Sequence, residues 1–300
     1  MGARDSAMMV WSRDIFRVAL RPLGAARLAA LWRAGLPEEF QLPLEFLFLR
    51  KISAADIAIQ SRVEKMRTDI EGSGRTFQVV SNTGQLITRT ARDVTRSSSV
   101  APEWGMFLYL CAKSFRSRTI IELGTSIGIS SSYLVSSGFC ERFVGVEGST
   151  ELSKIATENT KSILPTATIL PAMVDDVLAE VVSRWADEVD LLYIDANHNF
   201  EPTLRYMDRF GPRLKPGALV IFDDIHWSKE MWEAWSFLRN RQGFSNTIDV
   251  GRFGLGLWQG GTVQPKQFSL ARYAGWMRKY SRSSSPLDES VSLAATAGKL

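Results

Sequence analysis

The sequence predicts an α/β fold: a doubly wound, mostly parallel seven-stranded sheet with an antiparallel last strand, preceded by an N-terminal helical accessory region. Three observations lead there. Short β-type apolar runs alternate with helix-length segments through the middle of the chain. The last two runs are joined by only a short glycine-rich link, the spacing of an antiparallel hairpin. The chain has 300 residues, 45% apolar and 23% charged, enough for a sizeable core and too ordinary for a disordered or fibrous protein.

The first segment, Met8 to about Trp32, sets Trp11, Ile15, Val18, Leu23, Leu28, Leu31 and Trp32 among arginines at helical spacing, with Pro22 and Gly24 as a break. A basic amphipathic helix suits either an anionic membrane surface or a contact with its own or a neighbouring subunit. Peripheral membrane contact and a homo-oligomer are both expectations of this segment. Residues 44–70 read as further helix, and Phe77–Val80 and Gln85–Thr88 flank Asn82-Thr83-Gly84 as a small hairpin. These elements make up the accessory region, residues 1–100.

After the polar stretch Thr95–Ser99, Ala101–Phe115 reads as a helix entered at Pro102, opening a domain over residues 101–262. Strand runs follow at Thr119–Leu123, Phe143–Val146, Thr168–Leu170, Leu191–Ile194 and Ala218–Phe222, then Thr247–Val250 and Leu255–Trp258. Residues 263–300 read as a basic helix and a mobile tail beginning at Ser281–Pro286.

The formal charge of +4 conceals a division: residues 1–36 and 263–300 each carry +4, leaving −4 on residues 37–262. Arginines interrupt the N-terminal apolar stretch, and no run of about eighteen uncharged apolar residues occurs, so neither a spanning helix nor a secretory signal is expected. The default compartment is cytoplasmic. Cys111 and Cys140 lack CxxC or Cys/His spacing and read as buried free thiols.

In an open α/β sheet, ligands sit beyond the carboxyl ends of the strands. After the first strand comes Glu122-Leu123-Gly124-Thr125-Ser126-Ile127-Gly128, where glycines let backbone approach a ligand and small hydroxyl residues open the next helix. Ser126 and Ile129 occupy the second and third glycine positions of a dinucleotide fingerprint, which disfavours a pyrophosphate. Glu147 ends the second strand, where a carboxylate can accept both hydrogen bonds of a ribose diol. An adenosine without phosphates fits both observations.

The fourth and fifth strands end in Asp195-Ala196-Asn197-His198 and Asp223-Asp224-Ile225-His226, bringing both histidines of the chain beside carboxylates at that same edge. Asp195, Asp223 and Asp224 offer hard oxygen ligands suited to Mg²⁺, Mn²⁺ or Ca²⁺. Asp223 and Asp224 also read as a strand end and a cap for the next helix, near Ser228. Trp104, Met106 and Trp227 are candidates for a pocket lining.

On these residues the chain from about Ala101 to Trp258 resembles the class I S-adenosylmethionine-dependent methyltransferases. Among them it is similar to small-molecule O-methyltransferases of the catechol and caffeoyl-coenzyme A type, with bacterial relatives acting on sugars or natural products. Glu122-Leu123-Gly124-Thr125 with Gly128 looks like their first motif, Glu147 like the ribose-binding acid, and Leu214-Lys215-Pro216-Gly217 like the turn before the fifth strand. Asp195-Ala196-Asn197-His198 is similar to the family's D-A-D-K, and Phe222-Asp223-Asp224-Ile225-His226-Trp227 to its D-N-x-x-W segment.

The resemblance implies a Rossmann-like methyltransferase fold. It also implies S-adenosyl-L-methionine as cofactor, held by Glu122, Gly124, Thr125, Ser126, Gly128, Glu147 and Asp195, and a divalent ion, Mg²⁺ or another hard cation, on Asp195, Asp223 and Asp224. Two departures stand out: His198 replaces a catalytic lysine, and Asp224 replaces an asparagine. The expected reaction is metal-assisted O-methylation of a small hydroxylated acceptor, a sugar or natural-product intermediate, with His198 and Asp195 catalytic. Metal coordination would lower the hydroxyl pKa so that His198 could take the proton.

Three other readings compete. One is metal-independent O- or N-methylation through His198, and another is a non-catalytic binding protein of the same fold. The third, nucleic-acid binding or modification through the basic ends, is disfavoured. The N-P-P-[YF]-type tetrad of many base methyltransferases is not seen, and the arginines sit outside the acidic middle.

Overall fold

A computed structural model describes residues 25–80 and 86–270. The basic segment up to residue 24, the Asn82-Thr83-Gly84 turn and the tail from residue 271, with Ser281–Pro286, lie outside the described residues. Residues 25–33 are helical (α1), and Leu28 and Leu31 on it are buried in the chain's own core.

The helix expected over residues 44–70 is present as two helices, α2 (Gln41–Leu49) and α3 (Ala54–Glu71). Arg50 ends α2 at φ 56°, a left-handed terminator, and Ser53 caps α3 by accepting from the Asp56 N–H. Strands β1 (Thr76–Val80) and β2 (Leu86–Thr90) pair antiparallel. The next segment, which includes the polar stretch, is α4 (Ala91–Ser98), started by a reciprocal capping box between Thr90 and Asp93.

From α5 (Pro102–Ser114) onward the order alternates: β3 (Thr119–Leu123), α6 (Ile129–Val135), β4 (Arg142–Glu147), α7 (Thr150–Lys161), β5 (Thr168–Pro171) and α8 (Val174–Trp185). There follow β6 (Leu191–Ile194), α9 (Phe200–Phe210), β7 (Leu219–Phe222), α10 (Lys229–Leu238), β8 (Phe244–Asp249), β9 (Gly254–Trp258) and β10 (Lys266–Ser269). The sheet order is β10-β8-β9-β7-β6-β3-β4-β5, with β9 antiparallel to both of its neighbours.

The sheet therefore has eight strands where seven were predicted. The eighth, β10, lies in the segment read as helix and tail, and runs parallel to β8. Within β10 only Phe268 is buried, so its sequence carries no apolar alternation. Backbone pairing with β8 is what recruits it.

Strand parity divides the core in two. Ile120, Leu191, Tyr193, Leu219 and Ile221 face one cluster, shared with α1, α2, α3, α5 and α6. Ile121, Leu123, Leu192, Ile194, Val220 and Phe222 face the other, under α8, α9 and α10. Such two-sided burial is why these strands read as continuous apolar runs.

The accessory helices are fastened to the first face by buried polar contacts as well. Asp56 Oδ1 accepts from the Tyr109 hydroxyl at 2.6 Å and from Lys113 Nζ at 2.5 Å, and the Tyr133 hydroxyl donates to Glu64 at 2.7 Å. No helix among the described residues is long and apolar enough to cross a membrane.

Candidate active site

The cradle forms where β3 gives way to α6. Ser126 sits at φ 48°, Gly124 at φ 91° and Gly128 at φ 81°. A Cβ on Gly124 would stand 2.1 Å from the Asp195 carbonyl oxygen, and one on Gly128 would stand 2.8 Å from the Ala156 Cα. The glycines are thus needed for close internal crossings, of the turn against the β6 end and of α6 against α7.

Glu122 points into the α5–α6 face and is wholly buried, where Ser131 donates to its Oε2. Burial pushes its carboxyl up to about 8, against the lowering effect of the Ser130 and Ser131 hydroxyls. Its Oε1, the Thr125 hydroxyl and the Ser126 hydroxyl are buried with no hydrogen-bond partner among the described residues. Native interiors leave few such atoms unsatisfied, and three at the end of β3 and on the turn after it suit a polar ligand.

At the end of β4, Glu147 Oε2 accepts from the Ser126 N–H at 2.7 Å and Oε1 from the Ser149 N–H at 2.8 Å. A carboxylate has about four lone-pair sites, so each oxygen retains one for a hydroxyl. Burial raises the Glu147 pKa against these two N–H donors. The exposed Met173, after β5, leans over Gly148 beside it, a neighbour the sequence reading did not anticipate. Donor set, orphaned atoms and depth all fit an adenosine-type cofactor.

At the β6 and β7 ends the structure brings together Asp195, His198, Asp223 and Asp224. His198 Nε2 lies 3.2 Å from Asp195 Oδ1. Burial opposes the charged ring, but Asp195 outweighs it and, with Asp224 and Asp223, lifts His198 to about 9. Asn197, His198 and Asp224 all have positive φ, at 61°, 25° and 50°. Together with Ser126 they account for four of the six such non-glycine residues described, and strain of this kind collects at functional sites.

Asp223, wholly buried, is held by a residue that sequence reasoning missed. Arg252 Nε donates to Asp223 Oδ1 and Nη2 to Oδ2, each at 2.7 Å, and Nε lies 3.6 Å from Asp224 Oδ1. The Asp224 N–H donates to Asp223 Oδ1 at 2.6 Å. The Tyr193 hydroxyl lies 2.8 Å from Asp223 Oδ2 and 3.2 Å from Asp195 Oδ2. Burial works to raise the Asp223 carboxyl, but Arg252 holds it below the ordinary carboxylate range. Asp195 and Asp224 are both raised, by burial first and then by the Asp223 charge.

Arg252 arrives here because β9 is antiparallel. A strand that opposes its neighbours begins where they end, so the β8–β9 link lies at the carboxyl edge. The one hint in the sequence was two adjacent aspartates, Asp223 and Asp224, whose charge was assigned to a divalent ion and to no side chain of the protein.

This arrangement does not fit a divalent ion on Asp195, Asp223 and Asp224. Asp223's lone pairs are taken by the guanidinium, the Asp224 amide and the Tyr193 hydroxyl. Among the described residues no group of three or more His, Cys, Asp or Glu is placed to hold a metal.

His226 is outside the acidic cluster. Its Nε2 lies 2.9 Å from Asp249 Oδ2, and its ring stacks on Trp232 with centroids 4.8 Å apart. Trp104 and Met106, read as possible pocket lining, are buried core. Trp227 is 64% exposed and stands edge-on to His198 at 5.3 Å. Both cysteines carry free thiols: Cys111 is buried and Cys140 half-buried.

The strand order, with antiparallel β9 beside β7 and a polar turn at the carboxyl edge, is that of the Rossmann-like methyltransferase fold. Comparison with known proteins agrees: residues 121–225 match the family model described as a methyltransferase domain. A catechol O-methyltransferase from Niastella koreensis is 27% identical over 134 residues, covering 42% of this chain and 58% of that protein. The chain thus spans little more than half the length of that relative.

The crystal structure of an O-methyltransferase from Bacillus cereus in complex with SAH superposes with a TM-score of 0.50 at 16% identity, covering 72% of this chain and 95% of that one. A structure from Klebsiella pneumoniae gives 0.50 at 16%, covering 67% and 90%. At such identity these two likenesses speak for the fold.

Proposed function

We propose that this protein is an S-adenosylmethionine-dependent O-methyltransferase acting on a small hydroxylated acceptor. One juxtaposition carries the reading: the β3 end and its turn, with three orphaned buried polar atoms, pack directly against the loop bearing the Asp195–His198 pair. The Asp195 N–H donates to the Leu123 carbonyl at 2.8 Å, so the two halves share one rigid strand end. The catechol O-methyltransferase relative supports oxygen as the methylated atom.

Glu122, Thr125 and Ser126 would hold the polar end of the methyl donor and Glu147 its ribose. When bound, S-adenosylmethionine supplies an already activated methyl group. The protein's remaining work is to bring an acceptor oxygen into line with it and remove the hydroxyl proton. His198, in its neutral form, would direct Nε2–H at Asp195, 3.2 Å away, leaving Nδ1 to accept that proton, and Asp195 stabilises the resulting imidazolium. The exposed face of Trp227 beside His198 offers the acceptor an apolar wall.

The test is calorimetric titration of the full chain with S-adenosylmethionine, followed by transfer of labelled methyl to a panel of hydroxylated small molecules. Saturable donor binding with label on oxygen is the expected result. Absence of donor binding would reject the proposal.

A further inference from the structure

We propose that Arg252 is the resident cation of the acceptor half of this site, standing by charge and position where the related pattern of acids would seat a divalent ion. The proposal rests on the functional reading above for its place in catalysis, but its statement about cation occupancy can be tested without turnover.

Three carboxylates crowd this sheet edge, and Asp223 is wholly buried among them. Buried carboxylates side by side need a positive partner. In this chain the partner is a planar fork that meets Asp223 with two parallel bonds of 2.7 Å, the bidentate geometry of arginine with a carboxylate. The same guanidinium reaches toward Asp224, the position where an extra negative charge replaces an asparagine of the related pattern. Arginine and added aspartate fit one another as a compensated pair.

The arginine is held in place by backbone as well as by charge. Its carbonyl accepts from the Ile225 N–H at 3.1 Å, tying it to the loop after β7. On either side, the Val250 N–H donates to the Phe253 carbonyl at 3.0 Å and the Gly251 N–H to Asp249 Oδ1 at 2.8 Å. The guanidinium lies 5.6 Å from the Phe253 ring centre, and that ring packs among Trp104, Phe107 and Tyr193. For an ion to bind Asp223, this pinned link would have to withdraw. The chain therefore positions its acceptor with a fixed organic cation and needs no divalent metal.

The experiment titrates Mn²⁺ into the full chain and follows the electron paramagnetic resonance signal of the unbound ion. The expected result is no saturable uptake by the wild type into the millimolar range. Arg252→Ala should gain saturable uptake that the double variant Arg252→Ala/Asp223→Asn loses. Arg252→Lys, which keeps a cation, should behave as wild type and serves if the alanine variant does not fold.

Stoichiometric Mn²⁺ uptake by the wild type that Asp223→Asn abolishes would overturn the proposal. So would a folded Arg252→Ala that gains none. Donor calorimetry run in parallel keeps the outcomes separable: loss of the donor claim would show there, and loss of the Arg252 claim only in the manganese signal.

Discussion

Arg252 grips Asp223 through two hydrogen bonds of 2.7 Å, its Nε to Oδ1 and its Nη2 to Oδ2, with the carboxylate wholly out of contact with solvent. A buried pair of this kind adds little net stability compared with apolar residues of the same shape, because both partners lose their hydration. Removing one partner is another matter. Arg252→Ala should destabilise the fold by about 3–5 kcal/mol, since Asp223 is left charged and buried. Urea unfolding of the single variants and of the Arg252→Ala/Asp223→Ala double variant checks this. The double variant should recover part of the loss, and strictly additive losses would deny the coupling.

Glu147 holds the turn through Ser126 and Ser149 as well as offering lone pairs to a ligand. Replacement by alanine would confound those roles, so Glu147→Gln is the cleaner change. It should weaken S-adenosylmethionine binding by about 1.5–3 kcal/mol, the worth of a hydrogen bond to a charged group, and lower thermal unfolding less than Glu147→Ala does, since its one oxygen keeps one of the Ser126 and Ser149 N–H groups paired. Unaltered affinity in calorimetry would remove Glu147 from the ribose site.

Glu122 carries a pH signature in the donor-free protein. Its folded-state pKa is raised from 4.5 to about 8, chiefly by burial. Below the lower value the group is neutral in both states. Between the two values the unfolded chain gives up its proton while the folded chain keeps it, so stability falls as pH rises and levels off above about 8. Melting temperatures across that window should decline less steeply in Glu122→Gln. Parallel curves for the two proteins would show that Glu122 is not the source.

His198 is raised to about 9 and is therefore charged at neutral pH in the donor-free state. A base must be neutral to accept a proton, so kcat/KM should climb with pH up to about 9 and then flatten. His198→Ala should lose both the slope and most of the rate. A profile in the alanine variant that retains the wild-type slope would assign the proton transfer elsewhere.

Much of this site was legible in the sequence. Residues at strand ends are local consequences of an alternating pattern, which is why Glu122, Glu147, Asp195, His198, Asp223 and Asp224 could be named and placed on one edge. The turn glycines were identified as turn residues, and the fold adds a steric reason for their size that the sequence does not show. Gly124 and Gly128 are small because of Asp195 and Ala156, each far away in the chain. Likewise the break at Arg50 and the edge strand β10 depend on a backbone conformation and a pairing that leave no apolar periodicity.

What the sequence determined by itself was periodicity and order: alternating strands and helices, an antiparallel β8–β9 pair after them, and an acidic middle. These follow from local chemistry repeated along the chain. Only the tertiary structure decided which charge meets which. Arg252 lies twenty-nine residues beyond Asp223, on the link into β9, and the reversed direction of that strand alone returns it to the carboxyl edge. Tyr193 reaches both Asp195 and Asp223 because of the strand parity that buries its ring. Pairing across a sheet edge depends on strand order and direction, and no local pattern encodes it.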